Sequence, residues 1–501
     1  APCARTVTHL YRLHNNTPWR EWPRRSMEAT GVRNAVILAG AVDAADKALL
    51  PATFKALSLS MQVGPRELGA LTFAQSIAFS LALPLWGSLL RHHCARRLLV
   101  AGCCLWGTST LLIAATGAFW EQFLLRLFNG AALAAVNPIG QAVLCDVVPE
   151  AERGRAFGLM ASACSVLTMI VGAATTAAAS RSIGGLLGWR VVHLALAAAS
   201  FLVALLLHLT IPSDISAPGE PSKCSWFAEQ REVVRKILRR PSFVILVLQG
   251  VTGGIPWNSF AFMPLFFQLS GYTDLQAGEI VFYGGIGGAL GGYLGGVLGD
   301  HFGRLFPSSG RMATAQASVL LGAVLFVWVT HVPYGPSSFF IVAIANFLFH
   351  LTACWAPAAA CRPICGSLFR DSRDRAQVLA LWIALEGISS SVLGAPLAGL
   401  LSEAFGFRLA RDRPPAADGA EGAAALVALR KALMGVAIVP WVLCFLAWVP
   451  MYWAFPEDCC AEGKGQAARA KADIHETSAL RQTRERGETY KAITVQVDLR
   501  P

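Results

Sequence analysis

The most unusual chemistry in this chain of 501 residues sits inside its apolar stretches. The run Ala41-Val42-Asp43-Ala44-Ala45-Asp46-Lys47-Ala48 carries two carboxylates and an ammonium group almost side by side. Spacings of three and four residues put Asp43, Asp46 and Lys47 on one face of a helix. Two further ionisable side chains, Arg126 and Glu386, are also set among apolar neighbours. A carboxylate whose proton affinity depends on a nearby cation and on hydration can take up and release protons. Such a set can couple protons to a conformational cycle and face a substrate. It can equally be a static network that only fixes helix packing.

The elements that must position these groups follow from composition. Apolar residues make up 54% of the chain and charged residues only 15%, against roughly 25% charged in soluble proteins. A membrane-crossing helix needs roughly 20 mostly apolar residues. Runs of that kind fall at about 34–56, 67–90, 98–118, 121–145, 156–180 and 189–211, and again at about 243–268, 277–299, 313–332, 338–360, 379–401 and 434–455. The expectation is an all-α membrane protein of twelve transmembrane helices in two six-helix bundles. An ion at mid-bilayer costs at least ~2.5–3.5 kcal/mol, so the three charges of the first span must look inward. Arg126, at similar depth in the fourth span, is their expected partner. Two acids and two bases make the set formally neutral, a condition for keeping charge buried.

An even number of spans puts both termini on one side. That side receives 31 of the 42 Lys and Arg residues and the other side nine. Positive charge gathers in cytoplasmic loops, so both termini are expected in the cytosol. The net charge of +11 is thus topological and gives no reason to expect a nucleic-acid partner. Residues 1–33 form a polar cytosolic segment without the apolar core of a signal peptide. Bundles at 34–211 and 243–455 flank a cytosolic linker at 212–242, whose Trp226–Arg240 part has the pattern of a basic surface helix. The tail, 456–501, has the composition of a disordered segment. Its Cys459-Cys460 pair is open to palmitoylation or to remaining as free thiols.

Other polar residues sit where a transport path would pass. Asn129, Asn137 and Gln141 in span four line a path or hydrogen-bond between helices. Glu386 precedes Gly387 and the serines 389–391 and faces the cavity or makes a structural hydrogen bond. Trp257, Asn258 and Trp355 are cavity-shaping candidates, with a purely structural role as the alternative. His350 is either an interior histidine with a satisfied ring or a proton relay. Span eight bears glycines at 284, 288, 292 and 296, and at 287, 291, 295 and 299. These two bare strips let another helix approach closely.

The halves echo each other: Gly87–Arg97 follows span two and Gly296–Arg304 follows span eight, while Arg153-Gly154-Arg155 and Arg373-Asp374-Arg375 follow spans four and ten. The run Gly296-x-x-x-Asp300-x-x-Gly303-Arg304 resembles the loop signature of the major facilitator superfamily. Arg126-x-x-x-Gly130 and Asp146-x-x-Pro149-x-x-x-Arg153-Gly154-x-x-x-Gly158 are similar to that family's other N-half signatures. The likeness covers roughly 33–455. It implies two bundles rocking about a central site, with Asp300, Gly303 and Arg304 at a cytosolic gate and Asp300 facing the start of span eleven. The first-half copy departs from the pattern, with Arg91 at the acidic position and Cys94 at the glycine. Asp43-Ala-Ala-Asp46 leading to Leu50-Pro51, and Pro84-Leu-Trp-Gly87, resemble the spinster-like branch, some members of which move lysolipids.

The resulting expectation is a secondary transporter of a small organic solute or lysolipid, working by alternating access with proton coupling as an option. The rival is a non-transporting sensor or scaffold that keeps the fold. No nucleotide-binding loop, nucleophile–base set or cofactor motif is present, and Cys361-x-x-x-Cys365 stands too isolated for a metal site. The expected partners are therefore a small-molecule or lipid-like substrate, protons and the bilayer, with the chain acting as a monomer and not as an enzyme.

Overall fold

The computed structural model describes residues 25–90, 92–149, 152–212, 240–368, 372–407 and 420–458. The linker helix expected at Trp226–Arg240, Arg91 and the Cys459-Cys460 pair lie outside these residues, apart from Arg240 itself. In the first half the helices are α1 (Arg25–Ala52), α2 (Phe54–Met61), α3 (Pro65–Leu89), α4 (Ala95–Ala115), α5 (Phe119–Leu133), α6 (Val136–Val147), α7 (Arg153–Ala178) and α8 (Gly188–Thr210). In the second half they are α9 (Pro241–Ser259), α10 (Met263–Leu269), α11 (Asp274–Leu305), α12 (Gly310–His331), α13 (Phe339–Ala353), α14 (Arg362–Leu368), α15 (Ser372–Leu393), α16 (Ala395–Ala404) and α17 (Ala420–Ala447). The described strands are a two-stranded hairpin, β1 (Ser182–Ile183) and β2 (Leu186–Leu187). Gly184 and Gly185 at its tip have φ of 58° and 80°, the left-handed pair that a tight hairpin turn demands.

Eleven described helical stretches are long and apolar enough to cross a bilayer. The helix α1 is 28 residues long and falls outside that set because Asp43, Asp46 and Lys47 interrupt it. Chain breaks inside spans follow proline chemistry. Span one turns at Thr53, just after Pro51, and Thr53 Oγ1 donates to the carbonyls of Leu49 and Leu50 at 2.9 and 3.0 Å. Span four breaks between α5 and α6 just ahead of Pro138.

Several boundaries differ from expectation: α1 begins at Arg25 rather than near 34 and α15 at Ser372 rather than near 379. The last span starts at Ala420 rather than near 434, because Arg430 keeps its charged end over the ring of Tyr334 at 5.5 Å while its stem continues the helix. Span eight runs to Leu305, so the Gly296–Arg304 signature is helical rather than a loop. At 32 residues, α11 reaches roughly 48 Å and projects beyond the hydrocarbon layer.

One glycine strip of α11 makes the close approach the sequence predicts. A Cβ at Gly287 or Gly291 would lie 2.3 Å from the carbonyl oxygen of Phe347 or Leu351, and one at Gly295 would lie 2.4 Å from Trp355 Cα. The other strip is tight at Gly284, where a Cβ would lie 2.4 Å from Asn346 Nδ2, and loosens to Gly292, where one would meet nothing within 4 Å.

The halves meet along a seam between α3 and α15–α16 and between α7 and α11. Would-be Cβ atoms at Gly69 and Gly399 lie 2.6 and 2.3 Å from the carbonyl oxygens of Ala395 and Pro65, and one at Gly278 lies 2.7 Å from that of Ala173. An apolar core of Leu50, Phe54, Leu57, Leu71, Phe262 and Phe266 fills the same end. Lys55 Nζ, from the first half, pairs with Asp274 Oδ1 at 2.6 Å, which also accepts from Gln268 Nε2 at 3.0 Å. Glu403 Oε1 accepts from the Arg66 amide at 3.1 Å. All these contacts belong to the end where α1 stops and α3 starts. Towards the end where α1 begins, Gly158 has no neighbour within 4 Å and Gly296 meets only Ala358 of its own half. Among the described residues, the contacts between the halves named here gather at the first of these ends.

Candidate functional site

Asp43, Asp46 and Lys47 of α1 face the interior of the first bundle. Asp43 and Asp46 are buried, Asp46 to 1% exposure. Lys47 Nζ pairs with Asp43 Oδ2 at 2.7 Å and keeps a third of its side chain exposed, above the ring of Phe79 at 4.0 Å. The other oxygen of Asp43 is buried without a hydrogen-bond partner.

Asp46 is held by neutral donors. Thr110 Oγ1 donates to its Oδ2 at 2.7 Å, and Asn129 Nδ2 to its Oδ1 at 3.3 Å. The Asn129 amide oxygen in turn accepts from Gln75 Nε2 at 2.7 Å, so the network joins α1, α3, α4 and α5. Gly130, the last position of the Arg126-x-x-x-Gly130 signature, makes this possible: a Cβ there would sit 2.0 Å from the Gln75 carbonyl oxygen. On the same ridge Trp86 Nε1 donates to the carbonyl of Ala131 at 2.8 Å.

The expected ion pair between Asp46 and Arg126 is not formed among the described residues. Arg126 is fully buried, and its Nη2 lies 3.1 Å from His193 Nε2. His193 Nδ1 faces the Trp189 carbonyl at 2.7 Å. A carbonyl only accepts and a guanidinium only donates, so the ring carries its proton on Nδ1 and accepts at Nε2. Arg126 Nε and Nη1 have no partner.

The remaining sequence candidates scatter. Asn137 Oδ1 accepts from Gln141 Nε2 at 3.2 Å on the same helix, and Gln141 is exposed. His350 Nδ1 donates to the Asn346 carbonyl at 2.9 Å, the contact of an interior histidine. Asn258 Oδ1 and Trp355 Nε1 are buried without partners. Asp300 Oδ1 pairs with Arg311 Nη2 at 2.6 Å, at the start of α12; the first side chains of span eleven, which Asp300 is expected to face, lie outside the described residues. Gly303 makes room for that arginine: a Cβ there would be 3.1 Å from Arg311 Cγ and Nε. Arg304 is exposed. Arg153 donates to the carbonyls of Cys145 and Val148 at 2.8 and 3.3 Å, a cation closing the C-terminus of α6.

Glu386 and Trp257 do come together. They line a chamber of about 300 Å³ whose walls are all from the second half. Trp382, Trp441, Gln249, Ser318, Cys354 and Cys444 are also in its lining. The π-helical turn Pro357–Cys361 brings Cys361 to the wall, a kind of bulge frequent at functional sites. Trp355 is not among its lining residues.

The model of the Major Facilitator Superfamily matches residues 36–362. The chain belongs to the major facilitator superfamily. Its fold is similar to that of a bacterial homolog of the human lysosomal transporter Spinster in an inward-facing, unoccupied conformation. That likeness has a TM-score of 0.70 at 18% identity, covering 87% of this chain and 99% of that one. The occupied form gives 0.67 at 18% identity, covering 89% and 98%. A D-xylose–proton symporter gives 0.64 at 14% identity, covering 85% of this chain and 97% of that chain. No curated protein matches by sequence. As a member of this superfamily the chain is an integral, multi-pass membrane protein with a transporter fold.

Sequence reasoning missed His193, Thr110 and Gln75. Each lies on a different helix from the charge it serves, so no spacing along the chain marks it.

Proposed function

We propose that this protein is a secondary active transporter that moves a small organic solute or a lysolipid by alternating access and couples that movement to protons. The observation that carries this reading is the arrangement at Asp46. A carboxylate at 1% exposure held only by neutral donors, with a guanidinium in the same bundle that has a neutral histidine but no carboxylate as partner, is a costly arrangement for a static network. It fits a group that changes protonation and partners during a cycle. The superfamily fold, and its similarity to a D-xylose–proton symporter, support the coupling.

The seam supports the alternating part. Contacts between the bundles gathered at one end fit one of the two states that rocking interconverts. Both termini belong on the cytosolic side by the distribution of Lys and Arg. The gathered contacts then lie at the end away from the cytosol, as an inward-facing state requires. Similarity in fold to the bacterial Spinster homolog, with the Asp43–Asp46 and Pro84–Gly87 patterns, supports a spinster-like member.

The test is flux. Proteoliposomes containing the purified protein are incubated with a labelled metabolite and lysolipid extract, and their contents are read by mass spectrometry with and without a pH gradient. Accumulation of a species above empty liposomes, increased by the gradient, is the expected result. Contents equal to those of empty liposomes under every gradient contradict the proposal and favour a sensor.

A further inference from the structure

The chamber in the second half has a chemistry of its own. At about 300 Å³ it lies at the lower end of the roughly 300–1,000 Å³ of small-molecule sites. Its single acidic side chain is Glu386, and no Lys, Arg or His lines it. Among the described residues no hydrogen bond or ion pair reaches the Glu386 carboxylate. Three indoles, Trp257, Trp382 and Trp441, share the wall with it.

The rings are held in place by packing. Trp441 lies 5.9 Å from both Phe260 and Phe349, and Trp257 stacks on Phe349 at 6.3 Å with planes 19° apart. Trp257 is 38% exposed and Glu386 half-buried, so the chamber is accessible. We infer that this chamber binds an alkylated ammonium ion, a compact organic cation whose charge meets Glu386 and whose methyl groups meet the indole faces.

The lining argues against other ligands. An anion would meet a carboxylate and the negative faces of aromatic rings. A primary ammonium brings three N–H donors, and the chamber has few free acceptors for them. The Gln249 side chain already donates to the Leu246 carbonyl at 2.9 Å and accepts from the Cys444 thiol at 3.9 Å. An alkylated ammonium needs no acceptor and gains from aromatic faces. Trp382, 6% exposed, is packed with its Nε1 against Gly250, where a Cβ would lie 2.5 Å from that nitrogen.

The inference rests on the transporter reading only in making this ion a cargo; binding itself does not depend on it. The experiment is isothermal titration calorimetry on the full-length protein in detergent at pH 8. The probes are choline and its neutral isostere 3,3-dimethylbutan-1-ol. Choline is expected to bind at least tenfold more tightly than the alcohol. Glu386→Gln is expected to abolish that preference, and Trp257→Leu to weaken choline about tenfold, between the exposed and the desolvated strength of one cation–π contact. Equal affinity for choline and the alcohol in the native protein overturns the inference, as does a preference retained by Glu386→Gln. Should Glu386→Gln aggregate on gel filtration, the native comparison and Trp257→Leu decide.

Competition by a single-chain phosphocholine lipid, below its micellar concentration, separates the two sources of such a cation. A tenfold advantage over free choline assigns a lipid headgroup, and no advantage assigns a free solute. Choline binding without any flux in proteoliposomes leaves the site standing and contradicts the transporter reading. Flux without choline binding does the reverse.

Discussion

Arg126 Nη2 donates to His193 Nε2 at 3.1 Å and makes no ion pair with Asp46. The contact spans α5 and α8, and the Trp189 carbonyl fixes the ring that accepts it. A fully buried guanidinium with two nitrogens that lack a partner is poised to change partners, and Asp46 is the nearby carboxylate able to take it. In the observed state histidine holds the arginine and threonine with asparagine hold the acid.

Removing the histidine should therefore be costly. His193→Ala leaves Arg126 without its described partner and should destabilise the protein by about 1.5–3 kcal/mol, the range for a hydrogen bond to a charged group. His193→Gln offers an acceptor again and should recover most of the loss. Thermal unfolding of the purified variants in detergent measures both. An unchanged midpoint in His193→Ala would show that the contact contributes nothing.

The closed end depends on glycine. Gly399→Leu places side-chain atoms where the Pro65 carbonyl now lies, 2.3 Å from the Cβ position, so α3 and α16 must separate. Spin labels at Ser60→Cys and Phe405→Cys, both exposed positions at that end, report the gap. With the reactive native cysteines replaced by alanine, the label distance should lengthen on adding Gly399→Leu. An unchanged distance distribution would mean that this glycine contact does not hold the state.

The Lys55–Asp274 pair should act on the same equilibrium more weakly. Its side chains are 33% and 17% exposed, and partly exposed pairs contribute about 1 kcal/mol or less. Lys55→Ala and Asp274→Ala should each broaden the label distances toward the open form, and the exchanged pair Lys55→Asp with Asp274→Lys should restore them. Additive opening in the exchanged pair would show that the two charges act separately.

Much of this was legible in the sequence, and the reasons are physical. Spacings of three and four residues oblige Asp43, Asp46 and Lys47 to share a face, and the cost of charge in lipid turns that face inward. Every fourth residue being glycine fixes which side of α11 meets span ten. The partner of Arg126 was not legible, because the rotation of α8 about its own axis is set by packing. The same holds for Asp300: the sequence marks it as special, but Arg311 becomes its partner only through the tight turn at Gly310, whose Cβ would lie 1.9 Å from the Phe302 carbonyl oxygen. The chamber around Glu386 was half legible. Trp257 and Glu386 were identifiable as polar or aromatic interruptions, whereas Trp441 and Cys444 look like ordinary apolar positions until α17 packs against α9.

The most direct test of proton coupling at Asp46 is flux through Asp46→Asn. This variant keeps the size of the side chain and an oxygen that accepts from Thr110, so assembly should survive. Proteoliposomes of the native protein and the variant are compared under an imposed pH gradient, following by mass spectrometry whichever species the native protein accumulates. Asp46→Asn should lose the dependence of accumulation on the gradient, with wild-type insertion and unfolding temperature. Gradient-driven accumulation equal to that of the native protein would contradict the account.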